Sequence, residues 1–170
     1  MLSTISSVIA FGFLVGMLQD GMPTGWTVFS SKPGRFSVAL PSAPVERSQF
    51  VGQLKVVKFI AEGKNEALFV ISYTDFADAD VKKDALQKRL DQARDGAVAS
   101  VSGMLKADKA ILLEGHPGRD IVIEKGGVVI VRIRIYVVDR RVYQVLALGP
   151  PPALASKEIA FFLDSFRLIK

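Results

Sequence analysis

The stretch Val128–Pro150, VVIVRIRIYVVDRRVYQVLALGP, decides the fold. Side chains on a strand alternate between its two faces. Val129, Val131, Ile133, Ile135 and Val137 therefore share one face, which reads as core. Ile130, Arg132, Arg134, Tyr136 and Val138 share the other, apolar at its ends and cationic at its centre. Asp139–Arg141 marks a reversal, after which Val142–Leu148 reads as the next strand. Two cations in the most apolar segment of the chain need an explanation in either structure or function.

Working outward, KADKAILLEG and RDIVIEKGG precede this hairpin, so the region reads as four strands with HPG, KGG and DRR at the reversals. Ahead of it the period changes. Leu86, Leu90, Ala93, Ala97 and Val101 are spaced as one helical face, with Gly103 as a stop signal and Asp80 as a cap. Gly96 inside this helix costs about 1 kcal/mol relative to alanine, a cost that suggests close packing against the sheet. Further back, Trp26–Ser30 and Arg35–Leu40 read as strands around a turn at Lys32–Gly34, and Pro41 and Pro44 force an extended loop. QFVGQLKVVKFIAEG and EALFVISYTDF are rich in β-branched and aromatic residues, and GKNE between them suits a hairpin turn. At the C-terminus three prolines break the strand. Ile159, Phe162, Leu163 and Phe166 then form the face of a short helix capped by Ser156, and SFRLIK closes as an extended tail. Hairpin-length connections imply an α+β fold: a largely antiparallel sheet of about six to eight strands, with one long and one short helix packed on it.

The 170 residues fit one domain with a core, since 49% are hydrophobic. There is no cysteine, which excludes disulfides, thiolate metal sites and cysteine nucleophiles. The formal net charge of +5 is modest and not gathered into one run, so specific nucleic-acid binding is not expected. Ile5–Leu18 is an apolar run too short for a comfortable membrane span but of a length that suits a secretory signal. No Lys or Arg precedes it, and no clean A-x-A site follows. The expected division is 1–25 as a signal or anchor segment with its linker and 26–170 as one domain. The expected location is extracytoplasmic, secreted or anchored through this segment.

Several motifs fall in a familiar order: GRFSVALPSAP, a hairpin ending in YTDF, a helix with ARDGAV, the turn LEGHPGRD, RIRIYVVDRRVYQVLALGP and a closing FLDSFRL. The chain resembles the PsbP-like domains, a family that also includes bacterial DcrB-type extracytoplasmic proteins and Mog-type Ran-binding proteins. The resemblance covers roughly Trp26–Lys170 and is closest to bacterial members with a signal or anchor segment. It implies an antiparallel sheet flanked by helices, and binding or assembly roles rather than catalysis. Plant photosystem members bind manganese-cluster proteins and ions. No such ligand residue matches a position here, so none is carried over.

Little else points to chemistry. The single histidine, His116, lies in the GHPGRD stretch, and a serine triad would need it as base. No G-x-S-x-G and no phosphate-binding loop is present. Asp75, Asp78 and Asp80 precede the long helix, where acids complement the helix dipole more readily than they bind calcium. No cofactor or metal is expected. The arginines allow two readings. Arg132 and Arg134 could pair with Asp120 and Glu124 on the preceding strand, or with Asp84, Asp91 and Asp95 if the long helix covers that face. Alternatively Arg119, Arg132, Arg134, Tyr136, Arg140 and Arg141 form an open basic-aromatic patch for an acidic partner. The leading expectation is a non-catalytic domain that binds a protein partner or envelope component. The alternatives are a small-molecule or ion-binding module using a cleft beside the sheet and a hydrolase of unrecognised type.

Overall fold

A computed structural model of the chain describes residues 21–77 and 83–170. The N-terminal apolar run, Asp78 and Asp80 lie outside the described residues. In chain order the elements are β1 (Thr27–Ser31), β2 (Phe36–Leu40), β3 (Val45–Val51), β4 (Leu54–Glu62), β5 (Leu68–Asp75), α1 (Lys83–Val101), β6 (Met104–Leu113), β7 (His116–Lys125), β8 (Val129–Val138), β9 (Arg141–Gly149), α2 (Pro151–Leu154), α3 (Lys157–Ser165) and β10 (Arg167–Leu168). Two antiparallel meanders, β3–β4–β5 and β6–β7–β8–β9, join at β5 and β9. They form one seven-stranded sheet in the order β3-β4-β5-β9-β8-β7-β6. β1, β2 and β10 make a second, three-stranded sheet. The α+β reading holds; the second sheet and α2 were not legible in the pattern.

The alternation in β8 sorts the layers. Val131, Ile133, Ile135 and Val137 pack with Ile121, Ile123 and Val142 of the sheet and with Leu90 and Ala97 of α1. The opposite face of the sheet meets the small sheet and α3 through Phe36, Phe59, Phe69, Tyr143, Phe162 and Phe166. α1 therefore covers the Val/Ile face of β8 and not the arginine face.

Several boundaries move from the sequence reading, each for a local reason. A hairpin turns at Gly52, where φ is +60°, so β3 begins directly after Pro44 and pairs along β4. The reversal before β7 is Glu114–Gly115, with φ +49° and +86°, and His116 and Pro117 already lie on the strand. At the end of α1 it is Ser102 that takes the left-handed conformation, φ +50°. Gly103 is held by space instead, because a Cβ there would lie 2.6 Å from Ile123 Cγ2.

The turn between β1 and β2 is where the two sheets are fastened. A Cβ on Gly34 would lie 2.5 Å from the Phe36 ring. The Gly34 N–H donates to Ser31 Oγ at 3.0 Å, and its carbonyl accepts from the Tyr143 hydroxyl at 2.7 Å. Arg141 donates to the Pro33 carbonyl at 2.9 Å and, through Nε and Nη2, to both oxygens of Asp75 at 2.6 and 2.7 Å. Its guanidinium also lies over the Tyr73 ring, 4.3 Å from the centroid. A second clamp ties β2 to α3: the Ala39 N–H donates to Ser165 Oγ at 3.0 Å, and that hydroxyl donates to the Phe162 carbonyl at 2.7 Å.

Arg134 forms a third tie. It meets Asp120 of β7 at 3.1 Å and Asp164 of α3 at 2.7 Å, so it links the sheet to the C-terminal helix. Asp120 is its cross-strand partner in register. Glu124 pairs with Lys106 instead, at 3.3 Å.

Two outcomes are expected. The hydrogen bonds from Arg141 hold the Asp75 carboxyl below its usual range. A depressed carboxyl stabilises the fold above the unfolded-state pKa of about 3.9, and that contribution is lost as pH falls through the lower folded value. Asp75→Asn leaves the Arg141 charge short of its partner and costs roughly 1.5–3 kcal/mol at pH 7. In urea titrations the gap between variant and wild type narrows below about pH 4; a gap independent of pH counts against the ion pair. Separately, Arg134→Glu faces two carboxylates and lowers Tm by roughly 5–10 °C. Arg132→Glu, with no described carboxylate within ion-pair distance, changes Tm less. Equal shifts for the two variants contradict the assignment of the tie to Arg134.

Candidate functional site

α1 rests on β7 and β8, but the sheet extends four strands further on the same side, through β9, β5, β4 and β3. No described element covers the face beyond the helix. In register across it run Val56, Thr74 and Val142, and beside them Lys58, Ser72 and Gln144. The overhanging side of α1 supplies Arg89, Gln92, Ala93, Gly96 and Ser100. Between helix and sheet lies a cleft of about 500 Å³, with Phe76 at one side and Gln49 and Val51 of β3 at the outer wall.

The floor is apolar and the polar groups converge on it, the usual composition of a small-ligand site. Among the described residues the charged ones lining it are Lys58 and Arg89, and no Asp or Glu lines it. Arg47 stands directly opposite Lys58 on the neighbouring strand and so shares its face. Like charges in directly opposed positions destabilise a sheet. Among the described residues no carboxylate lies within 4.0 Å of Arg47, Lys58 or Arg89. The Arg89 guanidinium lies 4.6 Å from the Phe76 ring centroid, and its Nη1 is buried with no hydrogen-bond partner. A Cβ on Gly96 would meet nothing within 4 Å. This glycine therefore does not mark the close helix–sheet packing expected of it; it faces open space in the cleft.

The six residues expected to form a basic-aromatic patch are not brought together as one open surface. Arg119 lies on the α1 face of β7, where Nη1 donates to both Asp108 oxygens at 2.9 and 2.8 Å and Nη2 meets Asp91. Arg132 and Arg134 lie on the opposite face, and Arg134 is engaged by Asp120 and Asp164. Tyr136 is only 3% exposed, stacked on Phe166, and burial pushes its hydroxyl above the usual range. Arg141 is buried on Asp75, and Arg140 is exposed in the turn between β8 and β9. Of the acids expected near the arginines, Asp91 serves Arg119 and Asp95 serves Arg94 at 2.8 Å. Asp75 is the only described member of its acidic cluster, and it is bound to Arg141. His116 does not line the cleft. Among the described residues no three His, Asp or Glu side chains gather as metal ligands, and no helix is long and apolar enough to cross a membrane.

Sequence reasoning passed over Lys58 and Arg89. A signal for Lys58 was there: Leu54, Val56, Lys58 and Ile60 share one face of β4, and a lysine interrupts it as the arginines interrupt β8. Arg89 carried no such mark, because it is one of several charged residues of α1 outside the apolar positions Leu86, Leu90, Ala93, Ala97 and Val101.

No protein-family model matches the sequence, and no curated protein matches it. Among solved structures, a chain from Bacteroides thetaiotaomicron VPI-5482 aligns with a TM-score of 0.52 at 15% identity, covering 86% of this chain and 49% of that one. The present chain thus spans about half the length of the Bacteroides chain. A Pseudomonas aeruginosa protein of unknown function aligns at 17% identity over 82% of this chain and 92% of its own, with a TM-score of 0.47. At 15% identity the first of these likenesses speaks to the fold alone.

Proposed function

We propose that the chain is a non-catalytic binding domain whose working site is the cleft between α1 and the open half of the sheet. The observation that carries this is the cleft itself: about 500 Å³ of space with polar groups converging on an apolar floor. Support for a non-catalytic role is chemical. Among the described residues the lining offers the hydroxyls of Ser72, Thr74 and Ser100 but no histidine or carboxylate to activate them. The protein-partner reading draws on the PsbP-like resemblance; the patch that would have given it a surface is dispersed, and the cleft is the site that the geometry offers.

The PsbP-like resemblance and an extracytoplasmic location belong to the same proposal. The quoted motifs support the first, and the apolar run Ile5–Leu18 supports the second. Three of those motifs fall on structural joints. GRF holds the pinned turn. The glycine of HPGR, Gly118, lies against Tyr136, where a Cβ would sit 2.5 Å from the ring. FLDSF supplies Asp164, Ser165 and Phe166. Their roles bear on the fold, and the cleft stands apart from them.

A fragment screen of the ¹⁵N-labelled chain tests the site without assuming a ligand. Binders are expected to shift the amides of Val56, Thr74, Gly96 and Val142. Gly96→Leu fills the open space while improving helix propensity by up to about 1 kcal/mol, so the chain stays folded and the shifts vanish. Shifts that survive Gly96→Leu, or a library that never touches these amides, would sink the proposal.

A further inference from the structure

The charge pattern of the cleft goes beyond its shape, and the inference drawn here rests on the cleft being the binding site. The geometry points to a ligand that is a small amphipathic anion: one carboxylate-type head on an apolar body. Arg47 and Lys58 are placed face to face in register, an arrangement a sheet disfavours unless something negative sits over it. Arg89 approaches from the helix side, and its Nη1 is buried without an acceptor. A buried unsatisfied donor is costly, and an anionic oxygen is the acceptor that removes the cost most effectively. Among the described lining residues no carboxylate competes for these cations.

The rest of the cleft sets the body. Val56 and Val142 give an apolar floor with Ala97 of α1 above it, and the missing side chain at Gly96 leaves room for the body. Ser72 and Gln144, in register with Lys58, extend the polar row toward the helix and can donate to a second head-group oxygen. A cation is disfavoured by Arg89 and Lys58. A neutral ligand of the same shape leaves the Arg89 donor unmet. The selectivity therefore comes from charge, and the affinity from apolar area.

The test is a titration of the full chain, followed by amide shifts and calorimetry, with three probes of equal chain length: decanoate, decanol and decyltrimethylammonium. Decanoate is expected to bind at the cleft amides at least ten-fold more tightly than decanol, with the cation weakest. Arg89→Gln and Lys58→Gln are each expected to weaken decanoate about ten-fold, the loss of one charge-assisted hydrogen bond, while decanol binding is unmoved. Arg132→Gln, on the far face of the sheet, leaves all three unchanged. Decanoate affinity is also expected to fall as salt rises. Equal binding of decanoate and decanol, or tighter binding of the cation, overturns the anion assignment and leaves the cleft reading standing. Decanoate binding that ignores both Arg89→Gln and Lys58→Gln does the same. If no probe reaches the cleft amides and the fragment screen is also blank, both readings fall.

Discussion

Phe36 is the residue on which the two sheets are joined. It is fully buried and touches Phe29, Phe59, Tyr143 and Phe166, so one ring connects β1, β4, β9 and the end of α3. Everything near it is arranged to keep that ring in place. Gly34 gives up a side chain for it. Tyr143 and Arg141 hold the turn before it by its carbonyls, and Ser165 holds the strand after it. The small sheet and α3 reach the large sheet at other points of the same core, Phe69 against Phe162 and Tyr136 against Phe166, and Phe36 lies among them where the aromatic contacts meet.

The joint also explains how charge is used in this protein. Arg134 and Arg141, both on the aromatic side of the sheet, act as ties between layers, each with a bonded acid. In these pairs the arginine is the more buried partner, so removing the acid leaves a partly buried cation without compensation. They fix how the layers meet. The cations beside the cleft have no such task. Arg47, Lys58 and Arg89 have no described acid, a state they share with Arg132 on the far face; under the proposal made above, they are the charge a ligand would meet.

How much of this was legible depended on which physical signal carried it. Alternation placed Ile133 and Ile135 on the core face of β8, and Asp120 was recognisable as a partner across the strand. Alternation is blind to what covers each face, so the long helix was offered to the arginine side when it belongs to the other. Asp164, near the end of a helix far along the chain, had no mark as a partner for Arg134. β3 was merged with β4 because its seven exposed residues carry no burial pattern to set it apart. The cleft itself was out of reach. It is an absence, created by a helix narrower than the sheet beneath it, and only a glycine with nothing beside it recorded that in the sequence.

That narrowness has a consequence for stability. The cleft is walled by two elements lightly committed to the core: β3, exposed along its whole length, and α1, among whose described side chains Leu90 and Ala97 are the buried ones. Local opening draws on such elements first. A molecule bridging them would order both, and by linkage whatever it gained in affinity would return as resistance of this edge to unfolding. The aromatic side would hold its shape with the site empty or full. Occupancy would thus be written into the firmness of one half of the sheet, a form in which the state of the site can be passed to a neighbour without any change of shape.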